Sequence, residues 1–141
     1  MSFQGSCLCG KITFAVTEFE PLIGHCHCTM CRKFHGAAFS TFADVKLKNF
    51  KWLSGEALLQ SYQASNNTVR QFCQHCGSSL TFCSSYNNND NTIEIALAAF
   101  DDDINISPDA HIYTDTKVTW LKLNDGLPQY RQYRDSTQGE K

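Results

Sequence analysis

Apolar and polar positions alternate with period two along much of this chain, and glycine, asparagine and cysteine clusters interrupt the alternation. Lys11-Ile12-Thr13-Phe14-Ala15-Val16 puts every second side chain on one face and predicts a strand. Glu20-Pro21 ends it, and residues 22–27 read as extended again. The spacing then changes. Thr29 predicts an N-cap, and residues 30–34 make one or two helical turns before Gly36. Further strands are expected over 38–42, 51–53 and 58–63, and Ser65-Asn66-Asn67 is a turn that joins 58–63 to 69–72 as a hairpin. Strands over 79–83 and 92–98 flank a polar loop, Asn87-Asn88-Asn89-Asp90-Asn91. Beyond the acidic turn Asp101-Asp102-Asp103 the chain reads as irregular, and 134–141 as a frayed tail. No repeat or linker interrupts residues 3–133, so the pattern predicts one mainly β domain with short helical turns.

Composition narrows the class. A chain of 141 residues with 42% hydrophobic and 12% aromatic content is globular, with a core modest enough to gain from metal staples. The formal net charge of -2 argues against a nucleic-acid surface, which carries a clustered excess of Lys and Arg. No apolar run approaches the roughly 20 residues that span a bilayer. Met1-Ser2-Phe3-Gln4-Gly5 lacks the basic and apolar regions of a signal peptide, so a cytoplasmic, reducing compartment is the expectation.

The cysteines carry the chemistry. Seven of the eight are clustered as Cys7-x-Cys9, as the triplet Cys26, Cys28 and Cys31, and as Cys73-x-x-Cys76. Gaps of one and two residues suit chelation of a single ion better than disulfides, and no export signal points to an oxidising compartment. A structural zinc takes four protein ligands, whereas a catalytic zinc takes three and keeps a position open. Two pairs make a closed four; the triplet leaves one place. Cys83 would close the triplet if it joined, but it lies on an expected strand and reads as an ordinary half-buried thiol. Thiolate donors in tetrahedral number favour zinc, ahead of iron.

Three stretches together resemble the glutathione-dependent formaldehyde-activating enzyme family, also called the centromere protein V/GFA domain. They are Gly5-Ser6-Cys7-Leu8-Cys9-Gly10, Cys26-His27-Cys28-Thr29-Met30-Cys31-Arg32-Lys33 and Phe72-Cys73-Gln74-His75-Cys76-Gly77. His111-Ile112 through Trp120 to Asp125-Gly126-Leu127-Pro128 also looks like the family's ending, so the resemblance spans about residues 3 to 130. It implies an Mss4-like (β-tent) zinc-binding fold with two Zn²⁺ per chain. Cys7, Cys9, Cys73 and Cys76 would hold a structural ion, and Cys26, Cys28 and Cys31 a second ion with an exchangeable position. It also implies a carbon–sulfur lyase resembling S-(hydroxymethyl)glutathione synthase, with a small thiol (glutathione) and an aldehyde (formaldehyde) as substrates. No nucleic-acid or membrane partner is implied, and the sequence is silent on oligomeric state.

Arg32 and Lys33 are the candidate substrate-binding residues. A three-thiolate zinc is already anionic, a substrate thiolate adds to that charge, and Arg can grip a glutathione carboxylate in a bidentate fork. His25 and His27 alternate with Cys26 and Cys28 in an extended segment, so they should face away from the metal, into packing or solvent. His75 reads as a surface residue and His111 as a packing or hydrogen-bonding one. Phe14, Phe39, Phe42, Trp52, Phe82 and Trp120 are expected in the core or in strand pairs, with Trp120 or Tyr130 as alternatives for lining a small-molecule cleft. The alternative function is a non-catalytic zinc-stapled interaction module. A chromatin role, or a metal chaperone, ranks below both.

Overall fold

The computed structural model describes residues 1–138. Among these, ten strands lie in two sheets with two short α-helices, the mainly β architecture that the alternation predicts. The strands are β1 Phe3–Ser6, β2 Thr13–Val16, β3 Ile23–Cys26, β4 Ser40–Lys46, β5 Phe50–Ser54, β6 Leu59–Gln63, β7 Val69–Cys73, β8 Ser79–Cys83, β9 Thr92–Ala96 and β10 Ala110–Ile112. The helices are α1 Thr29–His35 and α2 Ser85–Asp90. Backbone contacts group the chain into two compact units: Met1–Pro21 with Phe42–Ile106, and Leu22–Thr41 with the described residues from Ser107 onward. Among the described residues no helix is long and apolar enough to cross a membrane.

In the first unit β1 pairs with β2 and β2 with β5, all antiparallel. Gly5 lies opposite Phe14. A Cβ at Gly5 would sit 2.3 Å from Phe14 Cζ and 2.6 Å from the Ala99 carbonyl oxygen, so only glycine admits this approach. Phe14 is fully buried and meets Trp52 and Phe100 edge-on, with ring centroids 6.1 and 5.2 Å away. The remaining strands of this unit run antiparallel in the order β4-β9-β8-β7-β6. The expected hairpin is β6–β7, closed by the Ala64 N–H donating to the Thr68 carbonyl, with Asn67 left-handed at φ 67°. It delivers Cys73, fully buried, to the end of β7.

Two expectations change here. The polar stretch 87–91, read as a loop, contributes most of α2. The Asn87 carboxamide oxygen accepts from the Ser84 N–H (2.8 Å) and hydroxyl (3.0 Å), and its Nδ2 donates to Thr92 Oγ1 (2.9 Å). Asn87 is therefore a buried hydrogen-bonding hub, a role that asparagine's general preference for turns hides. The last expected strand also stops at Ala96, where a single 3-10 turn over Leu97–Ala99 takes over.

In the second unit β3 pairs in parallel with β10, His25 opposite His111 and Cys26 opposite Ile112. Nothing in the hydrophobic pattern announces β10, because three residues paired with a distant segment leave no period to read. Helix α1 begins one residue earlier than expected. Its N-cap is Cys28, not Thr29: the thiol sulfur accepts from the Cys31 N–H at 3.3 Å. Gly36 closes α1 in the left-handed conformation, φ 58°, as a glycine C-cap does. Of the expected tail, residues 139–141 lie outside the described residues, and Arg134 makes a two-pronged contact with Asp109 at 2.7 and 3.1 Å.

Candidate metal centres

Cys7, Cys9, Cys73 and Cys76 all belong to the first unit, and their sulfurs lie within 4.8 Å of one another. Each pair sits where a strand ends in a tight turn. Gly10 N–H donates to the Cys7 carbonyl and Gly77 N–H to the Cys73 carbonyl, at 3.0 and 2.7 Å. Two sulfur separations, Cys7 to Cys9 at 3.5 Å and Cys9 to Cys73 at 3.9 Å, bracket the ~3.8 Å edge of a tetrahedron built on zinc–sulfur bonds. The Ile12 N–H points at Cys7 Sγ (3.3 Å), and Ser78 Oγ lies 3.2 Å from Cys76 Sγ. That hydroxyl is the main reason the Cys76 thiol is pulled down to about 5. Four converging sulfurs, two of them with N–H or O–H groups turned toward them, fit a divalent, thiophilic ion.

Cys26, Cys28 and Cys31 belong to the second unit, and their sulfurs also lie within 4.8 Å of one another. The end of β3 supplies Cys26, the N-cap of α1 supplies Cys28, and the first turn of α1 supplies Cys31. Contact with Cys28 and Cys31, followed by burial, holds the Cys26 thiol far above the ordinary thiol range. Three such thiols cannot ionise together unless a cation sits among them, so the donor set fits a metal. No histidine, carboxylate or further cysteine joins this group among the described residues. Cys83 stays apart, half-buried on β8, its thiol pushed up by burial.

The histidines do something the sequence did not announce. His27 and His111 are both buried, and His27 Nε2 lies 2.8 Å from His111 Nδ1. His111 Nε2 in turn lies 2.7 Å from Asp125 Oδ2. His25 stacks on His111, with centroids 4.7 Å apart, and its Nδ1 bonds Thr41 Oγ1 at 2.7 Å. Contact with His111 holds the Asp125 carboxyl below its ordinary value, so it is ionised and accepts from His111 Nε2–H. In the neutral ring of His111, Nδ1 then accepts from His27 Nε2–H. The remaining nitrogen, His27 Nδ1, is buried with no partner among the described residues. Burial pulls the His27 ring down to about 4, which keeps it neutral. The one signal available beforehand was that His27, His111 and Asp125 all fall on stretches of the family resemblance.

Arg32, one of the two candidate substrate-binding cations, donates from Nη1 to the Thr116 carbonyl at 2.9 Å. Thr116 Oγ1 donates to the His27 carbonyl at 3.1 Å, so the 113–117 turn is tied to the triplet segment. Tyr113 opens that turn in the left-handed conformation, φ 57°. Lys33, the other candidate, is exposed on α1, and His75 is exposed as expected. Trp120 departs from its expected place in the core: it is 75% exposed.

The sequence profile of "Glutathione-dependent formaldehyde-activating enzyme" matches residues 2–116, a span that holds all seven clustered cysteines and ends before Trp120 and Asp125. An uncharacterized lyase of Schizosaccharomyces pombe is 30% identical over 115 residues, which is 82% of this chain and 80% of that protein. A solved structure of a Rhodobacter sphaeroides protein shares the fold with a TM-score of 0.59 at 21% identity, over 72% of this chain and 91% of that one. By its cysteine pattern, its fold and this match, the chain belongs to the glutathione-dependent formaldehyde-activating enzyme family.

Proposed function

We propose that this chain is a zinc-dependent, lyase-type enzyme acting on thiol–aldehyde adducts, with glutathione and formaldehyde as the substrate pair. The observation that carries the reading is the triplet: Cys26, Cys28 and Cys31 converge without a fourth metal-binding side chain among the described residues, while Cys7, Cys9, Cys73 and Cys76 converge as a full set. The four-cysteine set is assigned a structural zinc. The triplet is assigned a second zinc with one position left for a substrate. Family membership and the lyase relative support the reaction class.

Zinc held by the triplet would supply the positive charge that favours a thiolate over a thiol and polarises a carbonyl. The protein's own residues do the rest. Cys28 is the N-cap of α1, so a metal held by its sulfur would be tied to the start of that helix. Arg32 braces the 113–117 turn beside the triplet segment, and its guanidinium with the Lys33 ammonium offers positive charge to a glutathione carboxylate. In the reaction the glutathione sulfur bonds to the aldehyde carbon, the C=O π pair moves to oxygen, and the thiol proton ends on that oxygen. The product is S-(hydroxymethyl)glutathione; the reverse breaks the same C–S bond. A second reading, a non-catalytic zinc-stapled interaction module, draws on exposed Trp120, an apolar side chain suited to a protein partner.

Exchange NMR of formaldehyde with glutathione separates the two readings. Acceleration by zinc-loaded wild type and none by Cys28→Ser is the expected result. No acceleration by either removes glutathione–formaldehyde chemistry and favours the interaction module.

A further inference from the structure

The His25–His111–Asp125 cluster is the strongest group of metal-binding side chains outside the cysteines. One ring nitrogen from each histidine and one carboxylate oxygen lie within 4.8 Å of one another, all in the second unit. Parallel pairing of β3 with β10 puts the two histidines opposite each other, and the rings stack at 30°. Each histidine has its Nδ1 engaged: His25 by Thr41 Oγ1 at 2.7 Å, His111 by His27 Nε2 at 2.8 Å. Nε2 is therefore the nitrogen each offers, and His111 Nε2 is already 2.7 Å from Asp125 Oδ2. Metal-ligating histidines are held in this way, the far nitrogen bonded so that tautomer and ring orientation are fixed. His111 is 1% exposed and the Asp125 side chain 42%, so the cluster has a buried floor and a solvent side.

We infer that His25, His111 and Asp125 form a third metal site, distinct from both cysteine sets, for a first-row divalent cation such as Zn²⁺ or Co²⁺. Two imidazoles and one carboxylate suit such an ion and leave positions for water. The hydrogen-bond chain adds a signature. When Nε2 of His111 takes a metal, its proton leaves and Nδ1 becomes the N–H, donating to His27 Nε2. His27 then carries its proton on Nδ1, so the chain reverses direction with no net gain or loss of protons. His27 Nδ1 is buried without a partner, and a donor there is costly. The site therefore binds more weakly than the thiolate sets and fills after them.

The test is Co²⁺ titration of the full chain, read by ions bound per chain and by ¹⁵N NMR of the histidine rings. Wild type should bind one ion more than His25→Ala or Asp125→Asn. The added ion should appear after the sulfur-to-cobalt bands have saturated, leaving those bands unchanged in both variants. With diamagnetic Zn²⁺ in place of Co²⁺, the His27 ring should change from the Nε2–H to the Nδ1–H form over the same step. Equal stoichiometry in wild type and variants, or an added ion that leaves the His27 tautomer as it was, overturns the site. Weak sulfur-to-cobalt bands would count against the cysteine assignments instead.

Discussion

Gly5 and His27 show how much can rest on a single position. The Gly5 backbone approaches Phe14 and Ala99 too closely for any side chain, and Phe14 is the centre of an aromatic cluster. Gly5→Ala should cost about 3 kcal/mol, read as a lower urea midpoint, because backbone and a buried ring both have to give. His27 acts through pH. Its ring is neutral and buried, with a folded value of about 4 against 6.5 for the free side chain. The unfolded chain thus takes up a proton there first as pH falls. Stability from His27 is full above pH 6.5 and is lost as pH falls from 6.5 toward 4, by at most about 3 kcal/mol at ~1.4 kcal/mol per unit. Asp125, held low by His111, is lost in the same direction at lower pH. A urea series from pH 7 to pH 4.5 should show this fall, and His27→Asn should flatten it. A steeper fall in the variant would contradict the assignment.

At the scale of elements, most strands were legible, but β1, β10 and α2 were not. Residues 11–16, 51–53, 58–63, 69–72 and 79–83 read as strands because alternation is a local property, and so does the β6–β7 hairpin with its asparagine turn. Strand β10 escaped because its pairing to β3 is made across the sequence. Helix α2 escaped because a run of asparagines looks like a loop until Asn87 is seen bonded to Ser84 and Thr92. The convergence of the cysteines was legible from their spacing. The joining of His25, His27, His111 and Asp125 was not, since it needs β10. Asn87→Ala should destabilise by about 2 kcal/mol, since it removes four hydrogen bonds and leaves Thr92 Oγ1 without its Asn87 donor, and thermal melting measures this. Arg32→Ala frees the 113–117 turn from α1 and removes a cation. It should raise KM for glutathione several-fold while melting shifts by about 1 kcal/mol or less. Unchanged KM would leave Arg32 as a brace alone.

For the whole molecule, the proposed function divides seven cysteines into a set that folds the chain and a set that works. Chelation should show both. Cys7, Cys9, Cys73 and Cys76 join the ends of strands far apart in sequence, and the hydrophobic core includes buried Cys7 and Cys73. Loss of metal there should remove the cooperative unfolding transition, as structural zinc supplies folding free energy directly. The triplet lies within six consecutive positions, so its metal closes almost no chain loop and adds little to stability by that route. The most direct test is urea unfolding of zinc-loaded Cys76→Ser and Cys28→Ser beside the wild type. Cys76→Ser is expected to show no cooperative transition, while Cys28→Ser keeps most of the wild-type midpoint. Equal loss of folding in the two variants would contradict the division of the cysteines into four and three.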